Sequence, residues 1–354
     1  VSAFNKLEAL PKGAARNISG VHAQIQRVLG PFYLRLSRIL KHYPFYVGGL
    51  NQRELENNLA RLMQVSLRGT DFSKFDAHLW FVREFERLVV QEFAHVLEMD
   101  LCLLAVSLSA WSRVRSVEGV SSKPLKQQLS GHPSTSTINT LINLFHSWVA
   151  AKCRDDFFDV DGPHSLIRVA GDDKLDGVSS SEDLVNAAEF LGLTLKVEKE
   201  GNLFDVSFLS RFFYLHEGRL QSHCDFWRLL KKLHLSTRPG GLRHDELLVS
   251  KYLSVLAQDY STPYISALAY YIVKTYGKPN QRLVLKHGID LSKDDILQRG
   301  VPLFNKDCAA SLCRWTGISV NKFAELHSQA LKGRVAILDN PDGDPSTVDY
   351  VALP

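Results

Sequence analysis

The sequence predicts an α+β fold, in which a central region of alternating strands and helices is followed by a mainly helical C-terminal part. Three observations carry that reading. Apolar residues recur at helical spacing over Val21–Leu40 and Thr135–Cys153. Strand-like runs at Gln64–Gly69, Leu166–Ala170 and Leu193–Val197 lie among such helices. From Phe226 onward the pattern is helical, with breaks at Pro239-Gly240-Gly241, Pro263 and Gly277-Lys278-Pro279.

Taken in order, Val21, Ile25, Val28, Leu29 and Leu36 mark the first helix, and Leu50–Leu62 reads as a second. Gln64 to Gly69 alternates like a half-buried strand and runs into Thr70-Asp71. Ala77–Leu108 reads as helices, Ser112–Gln128 as loop and strand. The Leu166–Ala170 run ends in Gly171-Asp172-Asp173, and Ser180–Leu191 is a helix with Ser181 and Glu182 near its start. Val206–Leu215 is aromatic-rich and extended, and Asp339–Pro345 reads as a turn or loose tail.

Composition is that of a globular protein: 354 residues, 45% hydrophobic and 23% charged, which excludes a disordered or collagen-like chain. The net charge of +4 is too small to announce a nucleic-acid binder. It conceals a segregation, because the first 50 residues hold seven basic residues against one acid. Five cysteines, none in a C-x-x-C pair, fit reduced and mostly buried thiols. Leu101–Trp111 is the longest apolar stretch, about half the ~20 residues of a membrane span, so no span and a soluble piece are expected. The chain begins at Val1, as a fragment or processed product does, and no signal peptide is read.

Four segments carry candidate chemistry. Gly171-Asp172-Asp173 sets two carboxylates at a tight turn, which alone is an ordinary turn sequence. Asp71 ends a predicted strand and Asp76 begins a predicted helix; the plain reading is a helix start capped by Asp76 or Ser73. If the two strands end side by side, Asp71 meets Asp172, and clustered carboxylates at an open edge suit hard divalent cations. Two such ions about 4 Å apart serve polymerases. Ser130-Gly131-His132-Pro133-Ser134-Thr135 is a loop before a helix on which Thr135 and Asn139 share a face; by itself this is a Ser/Thr-rich helix cap. Lys6, Lys12 and Arg16 form a basic start whose side chains suit phosphate oxygens.

In this order and spacing, the set resembles the RNA-dependent RNA polymerases of positive-strand RNA viruses. Lys6, Glu8, Lys12 and Arg16 look like that family's motif F, and Asp71-x4-Asp76 like motif A. Ser130-Gly131-x3-Thr135-x3-Asn139 resembles motif B, and Gly171-Asp172-Asp173 motif C. Leu191-Gly192-Leu193 through Lys199 looks like motif D, and Phe208-Leu209-Ser210-Arg211 like motif E. The last of these, with Lys231-Lys232-Leu233-His234-Leu235 and Asp259-Tyr260-Ser261-Thr262-Pro263, is most similar to nodavirus replicases, with tombusvirus-like polymerases next. The resemblance covers residues 5 to about 265.

The resemblance implies a right-hand polymerase with fingers, a palm built on an antiparallel sheet flanked by helices, and a helical thumb. Fingers fall at 1–63 and 88–120, palm at 64–87 and 121–215, and thumb with tail at 216–354. Asp71 and Asp172 would hold two Mg²⁺ or Mn²⁺ ions, with Asp173 assisting. Asp76 and Asn139, supported by Thr135, would select the ribose 2′-hydroxyl, and Ser130 and Gly131 would form a mobile loop near the nucleotide. Lys12 and Arg16 would grip the triphosphate, and Lys6 would bind RNA. Lys199 would protonate pyrophosphate, with Lys196 crowding the same loop, and Arg211 would lie near primer or product. The implied partners are template RNA, nascent RNA and NTPs, with other replication proteins or an upstream membrane-anchoring region of the same replicase. The implied location is membrane-associated replication complexes in the host cytoplasm. Little precedes Lys6, so the upstream fingers, a membrane-targeting region and a capping region are expected to be missing from this chain.

Two other readings use the same residues. A reverse transcriptase shares the palm, but would set an aromatic gate where Asp76 stands. A scaffold on a degenerate polymerase fold is opposed by Asp71, Asp172 and Asp173, since clustering them without a cation is costly. P-loop, dinucleotide, zincin and nucleophile-elbow motifs are absent from the sequence. His216, His223, Cys224 and His234 are too loosely spaced to predict zinc, and the five tryptophans read as core.

Overall fold

The computed structural model describes residues 2–5, 17–93, 99–110, 115–116, 127–152, 165–233, 243–279, 292–338 and 349–352. The basic residues Lys6, Lys12 and Arg16 lie outside these. So do most of the 112–128 segment, Trp111, Cys153, His234, the Pro239-Gly240-Gly241 break and the Asp339–Pro345 tail. The described chain divides into two compact units, one ending at Leu209 and the other starting at Ser210.

The first unit begins with strands β1 (Ser2–Asn5) and β2 (Asn17–Gly20), followed by helices α1 (Ala23–Leu40) and α2 (Gln52–Leu59). Helix α1 buries Ile25, Leu29, Phe32, Tyr33, Leu36 and Leu40, the single stripe that the sequence period demands. Helix α2 starts at a capping box in which Asn51 and Glu54 each satisfy the other's free backbone N–H. Strand β3 (Leu67–Phe72) leads through the short α3 (Phe75–His78) to α4 (Val82–Phe93) and α5 (Met99–Ala110). Strand β4 (Arg115–Ser116) pairs parallel with β1, which pairs antiparallel with β2. Then come α6 (Thr135–Lys152), β5 (Ile167–Ala170), β6 (Asp173–Asp176), α7 (Ser181–Phe190) and β7 (Leu195–Gly201).

A four-stranded sheet in the order β5-β6-β3-β7 is antiparallel throughout. Helix α6 packs on β5 and α7, where Val149, Ala150, Ala151, Ile167, Val169, Leu184 and Ala187 exclude water. A larger core joins α1, α4, α5 and the start of α6 through residues such as Leu29, Val90, Val106 and Ile138.

The second unit opens with a hairpin, β8 (Arg211–His216) and β9 (Arg219–Cys224). Helices follow: α8 (Phe226–Leu233), α9 (His244–Asp259), α10 (Ile265–Thr275), α11 (Lys293–Gln298), α12 (Lys306–Thr316) and α13 (Val320–Leu331). Strands β10 (Arg334–Ile337) and β11 (Asp349–Ala352) form a second hairpin. Helix α10 is the centre of this core, burying Ile265, Ala267, Leu268, Ala269, Ile272 and Val273.

The α+β fold with a helical second part is the one expected. Strands β1, β2, β6, β9, β10 and β11 fall outside the strand-like runs read from the sequence. Residues 173–176 form β6 although Asp173, Lys174 and Asp176 look like loop residues, and β9 contains Arg219, Gln221, Ser222 and His223. Two of the tryptophans also depart from a core role, Trp80 being 66% exposed and Trp148 45% exposed, whereas Trp227 packs against the second unit's core. Trp148 stacks on Phe145 and carries the Lys152 ammonium over its ring instead. Cys102, Cys224 and Cys308 are buried free thiols. No helix among the described residues is long and apolar enough to cross a membrane.

Candidate functional site

The site is built where β3 and the β5-β6 hairpin end together. Strand β3 is buried at Leu67, Gly69, Thr70 and Phe72, but Asp71 is exposed. Thr70 pairs with Lys174, so one further step of the antiparallel register sets Asp71 level with Asp173. Ala170 pairs with Asp173, which leaves Gly171-Asp172 as a two-residue turn beside them. Gly171 has φ +68°, a left-handed conformation that an L side chain resists. Asp71, Asp172 and Asp173 are all exposed at this edge.

The donor set fits a hard divalent cation, since all three groups are carboxylates open to solvent. Among the described residues, no group of three or more His, Cys, Asp or Glu side chains is arranged to hold a metal ion. Mg²⁺ typically takes one or two carboxylates and completes its octahedron with water and substrate phosphates, so an open pair of aspartates is the arrangement it uses.

Helix α6 backs this edge with a row of polar residues four apart: Thr135, Asn139, Asn143 and Ser147. Thr140 Oγ1 accepts from Gly171 N–H at 2.8 Å, and Asn143 Nδ2 donates to Gly171 O at 3.2 Å and Asp172 O at 2.9 Å. Deeper in, Ser147 donates to Asp176 at 2.7 Å. Lys174 Nζ lies 2.7 Å from His146 Nδ1 and 2.9 Å from Ser147 Oγ, while His146 Nε2 meets Leu184 O at 2.8 Å. Burial pushes the Lys174 ammonium down to about 8, with Asp176 opposing the shift. Burial first, and the Lys174 charge second, hold His146 well below the usual imidazole range. Lys174 therefore donates to a neutral ring, and this is why a strand reading Asp-Lys-Leu-Asp can be buried.

The Asp76 and Asn139 expected to act together are brought together. Asn139 Nδ2 donates to Asp76 Oδ1 at 2.7 Å, and Gln128 N–H donates to Asp76 O at 3.1 Å. Asn139 is 5% exposed, and its Oδ1 has no partner among the described residues. Thr135 does not reach that pair; its hydroxyl bonds Leu129 O and His132 O and so closes the loop before α6.

That loop lies against β2. Gly131 N–H donates to Ser19 O at 3.2 Å, and Ser130 Oγ accepts from Ser19 N–H at 3.3 Å. A Cβ on Gly131 would stand 2.7 Å from Ser19 O, so only glycine permits this approach. Arg16 is the residue before β2.

A buried polar cluster missed from sequence holds the loop from behind. His132 Nδ1 meets Ser134 Oγ at 2.6 Å, its Nε2 meets Ser109 Oγ at 3.0 Å, and Glu86 Oε1 lies 3.7 Å away. Glu86, fully buried, also binds Arg83 and the Tyr33 hydroxyl, the latter at 2.7 Å. Arg83 reaches on to Gln127 O. Burial pushes His132 down to about 4, with Glu86 opposing the shift and Arg83 adding to it.

The remaining candidates are more scattered. Lys199 pairs with Gly69, whereas Lys196 pairs with Asp71 itself, with a register shift between the two positions. In the second unit, Arg211 binds Asp259 at 2.9 Å and Ser222 Oγ at 2.8 Å. Asp259 also accepts from Cys224 N–H and Thr262. This ties β8 and β9 to the end of α9. His216 pairs with Asp307 and His223 with Ser311, on separate contacts.

No family model matches the chain. It is 28% identical over 218 residues to the RNA-directed RNA polymerase of Boolarra virus, covering 59% of this chain and 21% of that protein. It is 25% identical over 300 residues to the corresponding polymerases of Flock house virus and Black beetle virus, covering 78% of this chain and 29% of each. The chain thus spans less than a third of the length of these relatives. Among solved structures, a Sicinivirus 3Dpol RNA-dependent RNA polymerase superposes with a TM-score of 0.60 at 15% identity, covering 84% of this chain and 66% of that one. An insertion-loop deletion mutant of a human picobirnavirus RNA-dependent RNA polymerase gives 0.57 at 17% identity, covering 88% and 60%.

Proposed function

We propose that this chain, a homologue of viral RNA-directed RNA polymerases and similar to those of nodaviruses, extends an RNA 3′-end on an RNA template. The observation that carries the reading is the strand register that sets Asp71 level with Asp173 beside the Gly171-Asp172 turn. Asp71 and Asp172 hold the divalent ions, with Asp173 at their side. Two bound Mg²⁺ or Mn²⁺ ions supply activation of the 3′-hydroxyl and charge neutralisation of the pyrophosphate that leaves.

The chain's own residues do the rest. Asp76, held by Asn139, accepts a hydrogen bond from the ribose 2′-hydroxyl. A 2′-deoxy sugar leaves this half-buried carboxylate without that donor, which selects NTP over dNTP. Ser130 and Gly131 form the nucleotide-facing loop, and Thr135 fixes its exit into α6. Lys12 and Arg16 take the triphosphate and Lys6 the RNA. Lys199, or Lys196 opposite Asp71, protonates the leaving pyrophosphate. Arg211 stands near the primer or product strand through the hairpin it braces.

In this reading residues 64–87 and 121–215 serve as palm, 1–63 and 88–120 as fingers, and 216–354 as thumb and tail. The working complex contains template, nascent RNA and NTPs, together with other replication proteins or an anchoring region, at membrane-associated sites in the host cytoplasm. The test is incorporation of labelled NTP on a primed RNA with Mg²⁺ or Mn²⁺. The wild type incorporates and Asp172→Ala does not; equal incorporation by both rejects the proposal.

A further inference from the structure

We propose that Thr140 and Asn143 are positioning residues for Asp172: helix α6 completes the placement of that carboxylate where the sheet holds only the ends of its turn. The claim rests on the polymerase reading for the role of Asp172, and deepens it. The sheet anchors only the two ends of the turn, at the ladder pair of Ala170 with Asp173, and Gly171-Asp172 lies beyond it. Side-chain packing adds little. A Cβ built on Gly171 would meet nothing within 4 Å, and Asp172 is exposed. Gly171 therefore brings no side-chain contact of its own to hold the turn.

What further constrains the turn is three hydrogen bonds from one helix. Thr140 Oγ1 takes the Gly171 N–H, and Asn143 Nδ2 takes both the Gly171 and Asp172 carbonyls. Every one of these contacts is to backbone, so none competes with the Asp172 carboxylate for a cation. Both side chains are buried on α6, at 0% exposure. Thr140 is itself oriented by donating to Ser136 O at 2.8 Å. Asn143 engages only its amide hydrogens; its Oδ1 has no partner among the described residues.

The same helix holds Asp76 through Asn139, four residues and about 6 Å of helix rise before Asn143. The sugar-reading carboxylate and the metal-holding turn are therefore referenced to one rigid element by different side chains. Loosening Asn143 displaces Asp172 and leaves Asp76 held.

The test uses the full chain with Mn²⁺ as probe, its binding followed by electron paramagnetic resonance, alongside single-nucleotide incorporation. Partners outside the metal's own ligands commonly alter affinity or activity 10–100-fold. Asn143→Leu and Thr140→Val should each weaken Asp172-dependent Mn²⁺ binding roughly 10-fold or more. They should raise the Mg²⁺ needed for half-maximal kcat while KM for NTP and NTP/dNTP discrimination stay as in the wild type. Thr140→Ser, which keeps the accepting oxygen, should restore binding, and it keeps the claim testable if Asn143→Leu fails to fold. Wild-type Mn²⁺ affinity in folded Asn143→Leu or Thr140→Val overturns the claim, as does a wild type whose Mn²⁺ binding ignores Asp172→Ala. A wild type that binds Mn²⁺ through Asp172 but adds no nucleotide counts against the polymerase reading alone, and the binding arm still decides the positioning claim.

Discussion

Asn139 donates to Asp76 at 2.7 Å across 63 residues of chain, joining a helix that backs the sheet to the short helix after β3. If this pair reads the ribose, its two members act as one unit. Asp76→Ala and Asn139→Ala should each lower NTP/dNTP discrimination at least about 10-fold, and the double variant should lose little more than either single one. Competition between labelled NTP and dNTP on primed RNA measures this. Losses that multiply in the double variant would show two independent contacts.

His132 should make stability depend on pH. Its folded-state value of about 4 lies below the ordinary 6.5, so the unfolded chain takes up the proton first. The contribution is present above pH 6.5 and is lost as pH falls from about 6.5 to about 4, by roughly 3 kcal/mol. Denaturant unfolding near pH 7 and near pH 4.5 should show a smaller loss in His132→Asn than in the wild type. Equal losses would mean that His132 is readily protonated in the folded chain.

Lys196 and Lys199 can be separated kinetically. The ladder sets Lys196 opposite Asp71 and Lys199 opposite Gly69. Lys196→Met should therefore slow single-nucleotide incorporation by 10-fold or more, within the ~10²–10⁴ range of general-acid effects. Lys199→Met should slow it less. The reverse order assigns the proton-donor role to Lys199.

Arg211 and Asp259 form a nearly buried pair, with side chains 13% and 4% exposed. Asp259 also serves Cys224 N–H and Thr262. Removing the carboxylate breaks the Arg211 ion pair and takes the acceptor from Cys224 N–H, so Asp259→Ala should cost roughly 3 kcal/mol of stability. A melting temperature within a degree of the wild type would contradict that bracing role.

Much of this was legible in the sequence, and the exceptions share a cause. Helices α1, α6 and α7 follow from apolar spacing and end signals, and Asp71 and Asp76 fall at the strand end and helix start expected of them. Strand β6 was hidden because Lys174 and Asp176 look solvated until His146 and Ser147 are known to meet them. Glu86 and Arg83 look like one charged helix face; only the fold brings Tyr33 and His132 to the same place. Asn143 had a visible signal, since Thr135, Asn139, Asn143 and Ser147 recur every four positions along α6, whereas Thr140 falls outside that row. Spacing shows that such a face exists, but which backbone it binds depends on tertiary packing.

The most direct measurement is single-nucleotide extension of a primed RNA, offering each NTP separately with Mg²⁺. The account predicts that the wild type adds only the base complementary to the template, prefers NTP to dNTP, and loses both activities in Asp172→Ala. Addition that ignores the template base, or that survives in Asp172→Ala, would contradict it.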